Sequence, residues 1–345
     1  MNFFVSEMTC LRYFIPLIKE GNRRNVKSTV YWQSSNYRTD RPHKYNCPSK
    51  YTDQFKKLSL DFNFDLKKCT EKINNKDLTF LIEGRGRQYF EGKKAALTTG
   101  LDFCGEGGNY DKSIENIDYY IFPNEAWTRF SDWPANMDAS PNLKPKLLDE
   151  NEKKNLYLGS PKLDVALNKE EIIKKYNLSN SKKCLIFYPR DRDNHKIDIN
   201  KISNILENLN YEVLIKYRAK DHCRLSASQN TRIFKDEFWY PHVAMELIYI
   251  SDIVLNTDSF GLKESVSLKK PILNFRIKPF VSSFSIFNPL NEKFFSEIKM
   301  PIDYSLIKER INYLKDAKPE HFQETIDRCS LGPGASKRIL DFFGL

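Results

Sequence analysis

The stretch Ser251–Arg276, SDIVLNTDSFGLKESVSLKKPILNFR, holds the residues of this chain best suited by type and spacing to chemistry. An apolar strand runs into Thr257, Asp258 and Ser259. Phe260 and Gly261 then open a helix, whose free backbone N–H groups and positive dipole end suit a phosphate. Glu264 falls in the first turn of that helix, where a carboxylate reaches the two hydroxyls of a ribose. An ordinary strand-to-helix turn capped by Asp258 or Ser259 uses the same residue types, so the loop alone does not separate a ligand site from a cap. Two other patterns carry less. Asp191-Arg192-Asp193 has the spacing of a metal-binding acid pair, but such triplets arise by chance in a chain with 45 acids. The glycines at 84 to 86 and 105 to 108 match neither phosphate-loop nor dinucleotide fingerprints.

A loop of this kind needs a parallel sheet behind it, because ligands of open α/β sheets bind beyond the carboxyl ends of the strands. The second half of the chain reads as such a sheet. Cys184–Tyr188, Glu212–Lys216, Asp252–Asn256 and Pro271–Phe275 are apolar runs of strand length, with Arg232–Phe234 a shorter one. Between them come helical segments: one capped by Asn168 with acids in its first turn and lysines in its last, then Lys201–Leu209, a segment opened by Pro241, and Gly261–Leu268. This alternation predicts a doubly wound α/β domain. In the first half, Phe3–Val5 and Ser28–Trp32 flank a helix over Thr9–Arg23. Asp77–Glu83, Lys94–Thr98 and Asp118–Phe122 are strands closed by Gly84, Gly100 and Pro123. Gln33–Asp53 reads as a surface loop, and the aperiodic stretch 124–155 places a domain join near its end.

At 345 residues the chain has room for about two domains. Aromatics at 13% and charged residues at 29% exclude a disordered chain. The charge balance, 55 − 45 = +10, favours anionic partners: nucleic acid, an anionic membrane face or phosphate-bearing small molecules. Tyr37, Tyr45, Tyr51 and Phe55 in the basic first half could stack on bases, but no nucleic-acid-binding motif accompanies them, so no nucleic-acid partner is expected. Seven scattered cysteines with no CxxC pair argue against zinc and disulfides, and Cys223 beside His222 reads as coincidence. No run of eighteen apolar residues spans a membrane, and Glu7, Arg12 and Lys19 interrupt the apolar N-terminus, so a cytoplasmic protein is expected.

The segment Thr257, Asp258, Ser259, Gly261, Glu264, followed by Ser267, Leu268, Lys270, Pro271 and Arg276, resembles the corresponding loop of GT-B-fold nucleotide-sugar enzymes, above all the non-hydrolysing UDP-N-acetylglucosamine 2-epimerases. Leu158-Gly159-Ser160-Pro161 with Asp164 resembles the entry to the second domain in that superfamily, which includes the CDP-glycerol glycerophosphotransferases. Gly334, Ala335, Ser336, Arg338 and Ile339 resemble its closing helix. The resemblance covers roughly 156–345. It implies two Rossmann-like domains with parallel sheets facing a central cleft: an acceptor-side domain over 1–152, a nucleotide-donor domain over 153–330, and a C-terminal helix over 331–345 that crosses back to the first domain.

The departures bear on the reaction. Where the epimerases carry residues for proton transfer at a sugar carbon, this chain has Ser6-Glu7-Met8-Thr9, Glu83-Gly84-Arg85 and Thr98-Thr99-Gly100-Leu101, and Pro189 or Arg190 replaces their histidine. The glycerophosphotransferase Lys-x-His-Pro is here Lys216-Tyr217-Arg218-Ala219. The resemblance therefore implies a glycosyltransferase that moves a sugar from a nucleotide-sugar donor to a hydroxyl of a glycan or lipid-linked acceptor. Polyol-phosphate transfer, epimerisation and non-catalytic polyanion or glycan binding are the alternatives. Lys216, Arg218, Thr257, Asp258, Ser259, Phe260, Gly261 and Glu264 would hold the donor. Arg190 would stabilise the leaving charge, and Glu83 or Asp102 would serve as base, Glu7 being a further candidate. No metal and no cofactor are expected, and the lysines outside the site suit peripheral contact with an anionic membrane.

Overall fold

The computed structural model describes residues 1–32, 51–98, 116–123, 155–191, 193–218, 222–223, 225, 228, 230–235, 240–259, 261–277 and 290–345. These residues divide into two units, Met1–Asp164 with Gly332–Leu345, and Val165–Leu331. Both are parallel α/β structures. Among the described residues no helix is long and apolar enough to cross a membrane.

The first unit is built on strands β1 (Asn2–Val5), β2 (Thr29–Trp32), β3 (Asp65–Lys68), β4 (Thr79–Ile82), β5 (Lys94–Leu97), β6 (Tyr119–Phe122) and β7 (Asn155–Tyr157). Their order is β3-β2-β1-β4-β5-β6-β7, and every neighbouring pair is parallel. All four residues of β1, β4 and β5 are buried, and beyond Asn2, Thr79 and Lys94 at their starts these strands are apolar rather than alternating. Helix α1 (Leu11–Arg23) buries Leu11, Phe14, Ile15, Leu17 and Ile18, and the Phe3 ring lies 5.1 Å from Phe14 and 5.4 Å from Phe80. Helix α2 (Thr52–Asp61) buries Phe55 and Leu58.

The second unit carries α3 (Lys169–Tyr176), β8 (Lys183–Phe187), α4 (Ile199–Asn208), β9 (Glu212–Tyr217), β10 (Thr231–Lys235), α5 (Val243–Ile250), β11 (Ile253–Asn256), α6 (Gly261–Ser267), β12 (Ile272–Arg276), β13 (Phe295–Lys299), α7 (Leu306–Leu314) and α8 (Gln323–Arg328). The sheet order is β10-β9-β8-β11-β12-β13, again all parallel. Strand β8 shows why the sheet is covered on both faces. Cys184 and Ile186 join a cluster with Ile199, Ile202, Leu206 and Ile311, while Leu185 and Phe187 join one with Leu247, Ile248 and Val254. The termini of α3 follow from its sequence. Asn168 Oδ1 accepts from the amides of Glu170 and Glu171 at 2.9 and 3.2 Å, and Asn177 closes the helix at φ 50°.

Helix α9 (Ala335–Phe343) returns to the first unit, and its attachment explains two sequence motifs at once. The Asp164 carboxylate accepts from the backbone amides of Gly334 and Ser336 at 2.6 Å each, capping α9 from a residue 170 positions away. Arg338 Nε donates to Leu158 O at 3.0 Å, and Gly159 beside it holds φ 92°, which favours glycine.

Several element limits differ from expectation. Asn155–Tyr157 pairs with β6 and belongs to the first sheet, so the division falls at Asp164/Val165 rather than at 152/153, and the return begins at Gly332. Pro241 does not open α5; the helix starts at Val243, because His242 is extended at φ −72°, ψ 117°. Most of the expected loop over 33–53 and most of the join segment lie outside the described residues.

Candidate functional site

Each sheet places the chain's first strand of that unit beside its fourth, β1 beside β4 and β8 beside β11. The connections run to opposite sides from there, and the strand ends at such a switch point are where open α/β sheets bind ligands.

In the second unit, Thr257, Asp258 and Ser259 follow β11, and Pro189 and Arg190 follow β8 by way of Tyr188. Thr257 Oγ1 donates to Phe187 O at 2.8 Å, tying the two ends together. Lys216, on the neighbouring β9, is in register with Phe187, and its carbonyl accepts from the Tyr188 amide at 2.9 Å. The fold therefore brings Arg190, Lys216 and the Thr257–Ser259 turn to the ends of three adjacent strands. Lys216 is 7% exposed and Glu264, in α6, 3%; Arg190, Arg218 and Ser259 are half-buried. Gly261 admits the aromatic ring below it, because a Cβ there would lie 2.5 Å from Phe187 Cζ.

The turn differs from the expected phosphate cradle in two respects. Helix α6 has only seven residues, and its first amides are already used: Gly261 N donates to Ser259 Oγ and Leu262 N to Ser259 O, both at 3.3 Å. Asp258 turns inward at φ 52°. Its Oδ2 accepts from Ile277 N at 2.9 Å and its Oδ1 from Asn274 Nδ2 at 3.1 Å, so this carboxylate shapes the loop instead of facing solvent. Asn274 and its partner Glu297 are site-shaping residues that sequence reading did not single out. Phe260 lies outside the described residues.

In the first unit, the ends of β1 and β4 present Glu7 and Glu83, joined by Arg85. Arg85 Nη1 lies 3.2 Å from Glu7 Oε1 and Nη2 lies 3.0 Å from Glu83 Oε2. Glu83 holds a left-handed backbone at φ 53°, and its amide donates to Leu97 O at 3.0 Å. Thr9 Oγ1 donates to Glu7 Oε2 at 3.3 Å. The nearby Cys10 thiol is buried; loss of hydration, with the Glu7 charge adding to it, pushes its pKa up to about 11, which keeps it a neutral thiol. Asp102, the other expected base, lies outside the described residues.

The Asp191-Arg192-Asp193 spacing does not gather its carboxylates on one ligand. Asp191 accepts from the His222 backbone amide at 2.9 Å and lies 3.0 Å from its Nδ1, while Asp193 pairs with Lys196 at 2.9 Å. His222 and Asp191, taken separately in the sequence as incidental, are thus neighbours across the loops that follow β9 and β8.

No protein-family model matches the chain, and no curated protein matches it by sequence. Solved structures do. The glycotransferase of kitacinnamycin aligns over 99% of this chain and 97% of its own at 9% identity, with a TM-score of 0.57. The wall teichoic acid polymerase TagF aligns over 99% and 87% at 18% identity and a TM-score of 0.62. The UDP-GlcNAc 2-epimerase from Neisseria meningitidis, solved bound to UDP-GlcNAc, aligns over 99% and 97% at 13% identity and a TM-score of 0.57. At these identities the likeness is one of fold, and by fold this chain is a GT-B-type α/β protein.

Proposed function

We propose that the chain transfers a sugar from a nucleotide-sugar donor to a hydroxyl of a glycan or lipid-linked acceptor. The observation that supports this most is the gathering of Arg190, Lys216 and the Thr257–Ser259 turn at the ends of β8, β9 and β11. Two cationic side chains beside a backbone turn suit the phosphates of a departing nucleotide, whose charge develops as the bond to the sugar breaks. Arg190, Lys216 and Arg218 are assigned to that charge, Thr257, Ser259 and Gly261 to the wall around it, and Glu264 to the ribose hydroxyls. Asp258 contributes through the shape of the turn. In the step itself the acceptor oxygen forms its bond to the sugar carbon, the donor's carbon–oxygen bond breaks toward the nucleotide, and the acceptor proton passes to a carboxylate. Glu83 is the described candidate for that carboxylate and Asp102 the other.

The likeness to TagF favours a second reading, transfer of a polyol phosphate from a CDP-activated donor, which would release a nucleoside monophosphate. Calorimetry with UDP, GDP, CDP and CMP tests the donor site: one of them binds, and Lys216→Met weakens it about tenfold by removing a charge-assisted contact. Absence of binding by all four overturns the reading. Identification of the released nucleotide, diphosphate or monophosphate, then separates sugar transfer from polyol-phosphate transfer.

A further inference from the structure

Beneath the Thr257–Ser259 turn runs a polar ladder across three parallel strands. Asn256 of β11 is in register with Asn274 of β12, and Asn274 with Glu297 of β13. Asn256 and Asn274 are fully buried, each at 0% exposure. Asn256 Nδ2 donates to Asn274 Oδ1 at 2.9 Å, and Asn274 Nδ2 donates to Glu297 Oε2 at 3.3 Å. Glu297 is fixed in turn by Arg276, whose Nε and Nη2 lie 3.0 and 2.7 Å from Oε2.

The ladder ends on one residue. Asn274 accepts the Asp258 amide at 3.2 Å on its Oδ1 and donates to Asp258 Oδ1 at 3.1 Å, so a single side-chain amide reads both the backbone and the carboxylate of Asp258. The Ile277 amide takes the other carboxylate oxygen at 2.9 Å, and Arg276 Nε stands 3.7 Å from Oδ1. Asp258 holds φ 52°, a left-handed conformation that is unfavourable for a residue with a Cβ and persists where surrounding bonds impose it. Valine or leucine at positions 256 and 274 would close the sheet without desolvating amides. A buried polar ladder in that place is therefore explained by what it holds.

We infer that Asn274, Arg276 and Glu297 are positioning residues for the donor turn, with Glu297, on the edge strand β13, as the outer anchor that orients the Asn274 amide and so sets the Asp258 backbone. This rests on the donor-site reading above. Glu297→Gln keeps the size of the side chain and one acceptor oxygen but removes the charge that holds Arg276. Amide hydrogen exchange should then quicken roughly tenfold at Asp258 and Ile277, with the amides of β8 and β9 unchanged. The Kd of whichever nucleotide the wild type binds among UDP, GDP, CDP and CMP should weaken about tenfold. Arg276→Lys, which keeps a cation but loses the two-nitrogen grip on Glu297, should quicken the same two amides by less, and it carries the same comparison should Glu297→Gln fail to fold. Unchanged exchange at Asp258 and Ile277 in both variants overturns the inference, whatever nucleotide binding shows. Faster exchange in a protein whose wild type binds none of the four nucleotides supports the positioning role and overturns the donor assignment instead.

Discussion

Both sheets seat an aromatic ring of their first strand against a glycine beyond their fourth, and the two seats are built differently. In the first unit the ring is Phe4 and the glycine Gly86, at φ 83°; in the second they are Phe187 and Gly261, where the backbone needs no left-handed conformation. Around the first seat stand charges, Glu7, Arg85 and Glu83. Around the second stand amides and the turned-in carboxylate of Asp258, with Lys216 and Arg190 on the neighbouring strand ends. One strand order thus carries two polar surfaces. The first presents two carboxylates bridged by a guanidinium, and the second presents two cationic residues beside a backbone turn.

The largest effect should come from filling the first seat. A Cβ at Gly86 would lie 2.2 Å from two atoms of the Phe4 ring, itself held between Tyr89 and Phe90 at 5.5 and 5.9 Å. Gly86→Ala adds the left-handed penalty to overpacking, about 3 kcal/mol together, read by urea unfolding. Gly261→Ala meets only the overpacking, about 1 to 2 kcal/mol. Equal losses in the two variants would mean that the conformational difference between the seats has no energetic weight.

This contrast also marks what was legible in the chain. Strands buried on both faces, such as β8 and β11, stood out as apolar runs, and α3 announced its own ends. The strands that escaped were those at or near sheet edges: β3, Asp65–Lys68, with three exposed residues; β13, whose five residues include one buried; and the three-residue β7. Their half-exposed composition gives no periodic signal. At the site, the Thr257–Glu264 pattern was visible because it is local. The inward turn of Asp258 was not, because Asn274 and Glu297 reach it through parallel pairing, 16 and 39 positions along the chain. Leu158–Asp164 and Gly334–Ile339 were recognisable by resemblance, but that Asp164 caps α9 required both to be seen at once.

The functional half of the comparison can be separated by two substitutions of similar volume change. Arg85→Met removes the guanidinium between Glu7 and Glu83 and should lower turnover about tenfold while leaving nucleotide affinity intact, since it alters only the carboxylates assigned to the acceptor side. Lys216→Met should weaken the nucleotide and lower turnover as well, since it is assigned both to the bound phosphates and to the charge that develops on them. If Arg85→Met weakens the nucleotide as much as Lys216→Met does, the assignment of one role to each switch point is wrong.

The smallest effect concerns how the first unit holds α9, a fastening in which ionised groups near the surface take part. Arg24 donates to Leu345 O at 2.6 Å and lies 2.9 Å from Asp341, and Glu20 lies 2.8 Å from Arg24 and 2.7 Å from Arg23. Hydrogen bonds from Arg23 and then Arg24 outweigh partial burial and hold the Glu20 carboxyl down at about 2, against an ordinary 4.5. A depressed carboxyl contributes stability that is complete above its unfolded value and is lost as protons bind the folded state. Wild-type stability should therefore fall between about pH 4.5 and pH 2 more steeply than that of Glu20→Gln, and the two curves should converge at the acid end. Much of the shift is screened at this exposed pair, so the separation at neutral pH should be at most about 1 kcal/mol. The rings of Phe343, Phe80 and Tyr119, 5.8 and 5.2 Å from the first, keep α9 docked in acid, so urea titrations across this range should lose slope in pH without losing the cooperative transition.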